Sequence, residues 1–164
     1  MQRVLALDLS GHVGWALLEP GCAPRFDTWK TPPEEVGFYG RLGNALHDWL
    51  TQKVNELQPD GLAAEAPIIP NKYTGLDTTE HTVIKLTGLV WTAEMVAHRA
   101  AIRFLRVHHE DAKMALLGRA RNVKKIHMMG ECHDRGWMVA TEHEADAIGV
   151  ALHAHEHFWP AGAA

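Results

Sequence analysis

Apolar and polar positions follow two different periods along this chain, and the change of period marks its elements. Residues 3–9 and 13–18 are apolar runs joined by a short turn at residues 10–12, and residues 25–30 follow a loop punctuated by Pro20, Gly21 and Pro24. These predict three antiparallel strands. Thr31, followed by Pro32, Pro33, Glu34 and Glu35, has the composition of a helix cap and first turn. Leu42, Leu46, Trp49, Leu50, Val54 and Leu57 then recur at helical spacing, up to the break at Pro59-Asp60-Gly61. "GLAAEA", residues 61–66, predicts a short fourth strand, and residues 67–76 a loop. Val83, Leu86, Val90, Ala93, Met95 and Ala97 predict a second long helix, and residues 102–107 a fifth strand. Beyond Glu110 two helices are expected, one before the polar connection "GRARNVKK" and a final one over about residues 141–157. The order βββαβαβαα predicts a mixed sheet flanked by helices. No internal repeat or linker divides the 164 residues, so one domain is expected over 1–164, with about 158–164 as a frayed tail.

Composition changes this picture little. At 46% hydrophobic and 22% charged the chain has material for a sizeable core, and its formal charge of −4 weighs mildly against a nucleic-acid partner. The distribution of charge weighs the other way. Arg99, Arg103, Arg106, Lys113, Arg119, Arg121, Lys124 and Lys125 form a cationic stretch interrupted by only Glu110 and Asp111. Cys22 and Cys132, far apart, make no disulfide framework and suit a reducing cytosol. No apolar run reaches the ~20 residues that span a bilayer, and Asp8 interrupts the apolar start that a signal peptide would need. A cytoplasmic protein without a membrane partner is expected.

The chemistry lies in three acids that break apolar runs. Asp8 sits in "VLALDLSGHVGWALL", Glu65 in "GLAAEA" and Asp146 in "TEHEADAIGVALHAH". An isolated ionised carboxylate in such a run is costly unless something neutralises or coordinates it. On the last helix His143, three residues before Asp146, shares its face, with Glu142 on an adjoining stripe and Glu144 pointing elsewhere. If strands one and four are parallel neighbours and the last helix crosses their ends, the three acids converge. Convergent carboxylates hold a proton or bind a hard cation such as Mg²⁺ or Mn²⁺. Two such ions about 3.5–4 Å apart suit phosphodiester hydrolysis.

"LALDLSGHVGWAL", "LAAEAPI" and "HEADAIGVALHA" resemble the three acidic motifs of RuvC-type Holliday junction resolvases, within the ribonuclease H-like superfamily and particularly their phage-type branch. "DAKMALLGRARNVKK" is similar to the family's Lys-containing helix start and its Gly-rich basic connection. The resemblance covers nearly the whole chain. It implies a ribonuclease H-like α/β fold, with a mixed five-stranded sheet of three antiparallel strands followed by two parallel additions. It implies that Asp8, Glu65 and Asp146 ligate two Mg²⁺ or Mn²⁺ ions, with His143 as a further ligand or general acid/base. It further implies a homodimer that cuts branched DNA, a four-way junction, by paired hydrolysis. Lys113, Arg119, Arg121, Lys124 and Lys125 would contact phosphates, giving affinity rather than sequence choice. Lys72 and Tyr73, in the loop after Glu65, would touch DNA beside the active site. His143 stands where many relatives carry an acid, and Ser10 where a glycine is common.

Blander assignments compete with these. Asp8 and Glu65 each fit a turn-capping role. "HAHEH", residues 153–157, together with Cys132 and His133 lacks closed zinc spacing and reads as a solvated helix end. Trp15, Trp49, Trp91 and Trp137 are expected in the core. At the level of function, an RNA-directed nuclease of the same superfamily, of the kind that trims ribosomal RNA precursors, shares the acidic pattern. A non-catalytic junction-binding scaffold would not need all three acids. An actin-like ATPase, suggested by "LDLSGHVGW", needs two domains and a far longer chain.

Overall fold

The computed structural model describes residues 2–33, 39–67 and 79–160. Strands β1 (Val4–Asp8), β2 (His12–Leu18), β3 (Arg25–Lys30), β4 (Gly61–Glu65) and β5 (Arg103–Val107) form a sheet in the order β3-β2-β1-β4-β5. β1–β2 and β2–β3 are antiparallel, whereas β1–β4 and β4–β5 are parallel. Three antiparallel strands with two parallel additions are the arrangement expected from the sequence. The helices are α1 (Tyr39–Leu57), α2 (Glu80–Arg99), α3 (His109–Leu117), α4 (Lys125–Asp134) and α5 (Glu142–Phe158). The parallel β1–β4 and β4–β5 pairs need crossovers, which α1 and α2 supply.

Strand alternation separates two cores. Leu5 and Leu7 of β1 join Leu62 and Ala64 of β4 in a cluster with Leu46 and Leu50 of α1 and Ala93 and Ala97 of α2. Val4, Ala6 and Ala63 face the other way, against Ile148, Ala151 and Ala154 of α5 and Leu116 of α3. Because Asp8 has the parity of Val4 and Ala6, and Glu65 that of Ala63, both acids fall on the α5 side. The register pairs Leu7 with Ala64, so one step further along it sets Asp8 beside Glu65.

Small residues let α5 lie close to the sheet. A Cβ on Gly14, the β2 partner of Asp8, would sit 2.1 Å from the His143 backbone oxygen. One on Gly149 would sit 2.8 Å from the Ala112 oxygen. The helix start is held by Thr141, whose hydroxyl accepts from the Glu144 amide.

Four expectations need correction. Three helices follow β5 rather than two: α3 ends before the polar connection as expected, where Gly118 adopts a left-handed φ of 67°, and α4 is an additional helix between that connection and α5. Thr31 does not cap a helix: its hydroxyl donates to the Gly11 carbonyl, and residues 31–33 are non-helical. The expected first turn at Glu34 and Glu35 lies outside the described residues. Trp91 is 62% exposed on α2, while Trp15 is buried and Trp49 and Trp137 pack partly against the two cores. The expected tail begins too early as well. Phe158 ends α5, and its carbonyl accepts from Arg103, whose guanidinium lies 5.5 Å from the Trp159 ring centre. Residues 161–164 lie outside the described part.

Candidate active site

Asp8 ends β1, Glu65 ends β4, and His143 and Asp146 lie on the first turns of α5. Asp8 is 8% exposed, and its Oδ2 accepts from His143 Nδ1 at 2.6 Å. A carboxylate only accepts, so the shared proton sits on Nδ1 and Nε2 is the ring nitrogen left for chemistry. Ser10 Oγ lies 3.3 Å from the same Nδ1 and donates to the His12 carbonyl, which holds the turn after β1 against α5.

The electrostatics register the convergence. Burial, followed by the charges of Asp8 and Asp146, pushes the Glu65 carboxyl from 4.5 up to about 8, although Lys113 and Lys125 pull it back. Burial and then Asp8 raise Asp146 from 3.8 to about 6, against the pull of Lys125. The hydrogen bond to Asp8 raises His143 above the ordinary histidine value, against the effect of burial. Among the described residues no group of three His, Cys, Asp or Glu side chains is placed to hold a metal ion. Asp8, Glu65 and Asp146 offer hard oxygen donors, and Lys113 and Lys125 are the cations that act on the buried Glu65.

Two concavities meet at Glu65. One, of about 160 Å³, is lined by Glu65, Asp146, Lys113, Lys125 and His109 among others. The second, of about 210 Å³, runs past Asp8, Ser10 and Pro67 to Thr82, Leu86 and Val90 of α2. Of the expected basic contacts, Lys113 and Lys125 therefore stand at the acids, and Lys125 is paired with Glu142. Arg119, Arg121 and Lys124 are exposed in or beside the connection between α3 and α4 and do not line either concavity. Lys72 and Tyr73 lie outside the described residues.

Glu144 points away from the acids, as expected, and into the protein: it is 5% exposed, accepting from Thr28 Oγ1 at 3.0 Å and from the Ala140 amide at 2.7 Å. Thr28 also shares a hydrogen bond with Thr141, so Glu144 ties β3 to the start of α5. His109 was missed, yet it lines the concavity with Lys113; their four-residue spacing on α3 is the signal that would have found it. Burial, followed by the Lys113 charge, lowers the His109 pKa. Of the residues that invite a zinc reading, Cys132 is buried and the His133 ring bonds to the Val139 carbonyl.

No family model and no curated protein matches the chain. Solved structures do match its fold. The Thermus thermophilus RuvC structure aligns with a TM-score of 0.70 and 18% identity, covering 96% of each chain. T. thermophilus RuvC in complex with a Holliday junction substrate aligns with the same TM-score at 17% identity, again over 96% of each chain. The yeast mitochondrial Holliday junction resolvase aligns with a TM-score of 0.62 and 12% identity, over 96% of this chain and 81% of its own. The chain has the RuvC-type, ribonuclease H-like fold. Among the described residues no helix is long and apolar enough to cross a membrane.

Proposed function

We propose that this protein is a metal-dependent, structure-selective endodeoxyribonuclease that resolves four-way DNA junctions by paired phosphodiester hydrolysis. The observation that supports the reading is that, in a RuvC-type fold, Asp8 stands beside Glu65 at the ends of parallel strands and bonds His143, while Glu65 and Asp146 line one concavity. Two of the similar structures are named as Holliday junction resolvase or as bound to a Holliday junction.

In this reading Asp8, Glu65 and Asp146 hold two Mg²⁺ or Mn²⁺ ions, with His143 beside them. Bound there, the ions supply an activated water and charge stabilisation for the leaving oxygen. The remaining work falls to the chain. Asp8 fixes the His143 tautomer and keeps a proton on the ring further into the neutral range. Lys113 and Lys125 face the acids and draw a phosphate toward an otherwise anionic place. The exposed Arg119, Arg121 and Lys124 extend that attraction along the DNA backbone, and Lys72 and Tyr73 contact the junction beside Glu65. The protein acts as a cytoplasmic homodimer, and Ile84 and Trp91, 49% and 62% exposed on α2, offer apolar surface for the second copy.

The test is incubation of purified protein with a labelled synthetic four-way junction and matching linear duplex, with Mg²⁺, Mn²⁺ or chelator, beside Asp146→Asn. Paired, symmetric, metal-dependent nicks in the junction alone, absent in the variant, are expected. A junction bound but never cut makes the protein a scaffold. Cleavage of structured RNA in its place makes it an RNA-directed nuclease.

A further inference from the structure

Strand register brings a second imidazole to the acids, one that the proposed reaction leaves without a task. β4 and β5 run parallel with Glu65 opposite Val107, and the Ala66 amide donates to the Val107 carbonyl at 2.8 Å, so the two strands end at one level. α3 opens two residues later, at His109. His109 therefore stands at the carboxyl ends of parallel strands, where open α/β sheets hold their ligands. Lys113, one turn further on, shares that side of α3, and both residues line the concavity of about 160 Å³ together with Glu65 and Asp146.

The half-buried rings of His143 and His127 are each spent on a contact within the chain. His143 bonds Asp8, and the His127 ring accepts from the Lys124 amide at 3.0 Å. The half-buried ring of His109 makes no hydrogen bond to any described residue. Burial, followed by the Lys113 charge, lowers its pKa, so at pH 7 the ring is neutral and keeps one N–H donor and one bare nitrogen.

The surroundings of that donor select its partner. The Lys113 ammonium on the same side of α3 makes this wall a seat for an anion rather than for a cation. A phosphodiester carries its charge on two non-bridging oxygens, enough to accept from an ammonium and from an imidazole N–H together.

We propose that the His109 ring donates a hydrogen bond to a non-bridging oxygen of the DNA phosphodiester that lies over Glu65, with Lys113 on the other oxygen. The inference takes its substrate from the nuclease reading and adds to it a contact from α3.

The test compares His109→Ala, His109→Phe, His109→Asn and His109→Gln in the full chain. Phe keeps a flat ring without polar atoms, while Asn and Gln put an amide donor near the places of Nδ1 and Nε2. Each variant is assayed for kcat and KM on a labelled four-way junction in Mg²⁺, and for equilibrium binding of the same junction in chelator, where no cleavage intervenes. Ala and Phe should each lower kcat/KM and junction affinity roughly tenfold, as the loss of one hydrogen bond to a charged group does. Asn or Gln should recover most of that loss, and all four should melt like the parent. His108→Ala, exposed at the cap of α3, is the control and should change neither quantity. Full activity and affinity in Phe would show that the ring only fills space, and amides as poor as Ala would show that no donor is needed. Either result overturns the inference while the nuclease reading stands. A junction bound but never cut refutes the nuclease reading, and the affinities of the variants then decide the phosphate contact by themselves. A junction neither cut nor bound overturns both.

Discussion

Asp8 on the first strand and His143 on the last helix share one proton across 2.6 Å. The contact exists because Gly14, paired with Asp8 across the sheet, leaves the His143 backbone room to approach. That close approach carries a prediction of its own. Gly14→Ala drives a Cβ into the helix start and should destabilise the fold by about 1–3 kcal/mol, with junction cleavage lost as α5 is pushed off. Gly11→Ala, where a Cβ meets nothing within 4 Å, is the control and should melt like the parent. Thermal denaturation of both variants checks the pair.

Removing a single acid should separate chemistry from binding. Asp8→Asn, Glu65→Gln and Asp146→Asn each take away charge that a divalent ion needs, while the exposed Arg119, Arg121 and Lys124 stay in place. Cleavage should fall roughly a hundredfold or more, equivalent to several kcal/mol of lost charge stabilisation. Junction binding in a gel shift should change little. Binding lost together with cleavage would show that the acids organise the surface rather than the reaction.

Glu144 should behave in the opposite way to Asp146, two residues further on. Glu144→Ala leaves the Ala140 amide and the Thr28 hydroxyl without their acceptor, at a cost of about 1–3 kcal/mol. Its melting temperature should drop, while cleavage below that temperature persists. Asp146→Asn should be inactive yet at least as stable as the parent.

Stability should depend on pH with a definite sign. Glu65 rises from 4.5 to about 8 on folding and Asp146 from 3.8 to about 6, so the folded chain holds these protons more tightly than the unfolded one. Their contribution is full below pH 4 and is lost as pH climbs through 6 and 8. Without divalent metal the melting temperature should therefore fall between pH 5 and pH 8, and Glu65→Gln should flatten that fall. Mg²⁺ should raise the melting temperature more at pH 8 than at pH 5, since it replaces the missing protons. Calorimetry in chelator and in Mg²⁺ measures all three.

The two thiols should differ sharply in reactivity. Cys22 is exposed, whereas Cys132 is buried, and burial pushes its thiol up to about 12. A maleimide at neutral pH should label one thiol of the native protein quickly and the second only after denaturation. Fast labelling of both would mean that the α4 core opens readily.

Much of this site was legible in the chain. Asp8 and Glu65 stand out because strand alternation and apolar neighbours leave a carboxylate little reason to be there, and a parallel β1–β4 register then sets them side by side. Asp146 stands out for the same reason on a helical period. The partner of Glu144 did not, because a helical wheel describes one helix and not what overhangs its end: α5 starts against β3, and Thr28 meets the carboxylate there. Trp91 failed likewise, since the apolar stripe of α2 is wider than the surface that the sheet and α1 cover. The contact between Arg99 and His47 had no sequence signal, for the two residues come from different helices and meet only after packing.

The three acids come from the first strand, the fourth strand and the last helix, and this sets an order in time. A growing chain makes β1 early, gains Glu65 only after α1 has crossed over, and obtains Asp146 and His143 last. Until α5 has left the ribosome and docked on the sheet, Asp8 and Glu65 face solvent without the groups that complete the proposed site. In the proposed nuclease the acids of β1 and β4 therefore gain Asp146 and His143 only once α5 has docked on the sheet.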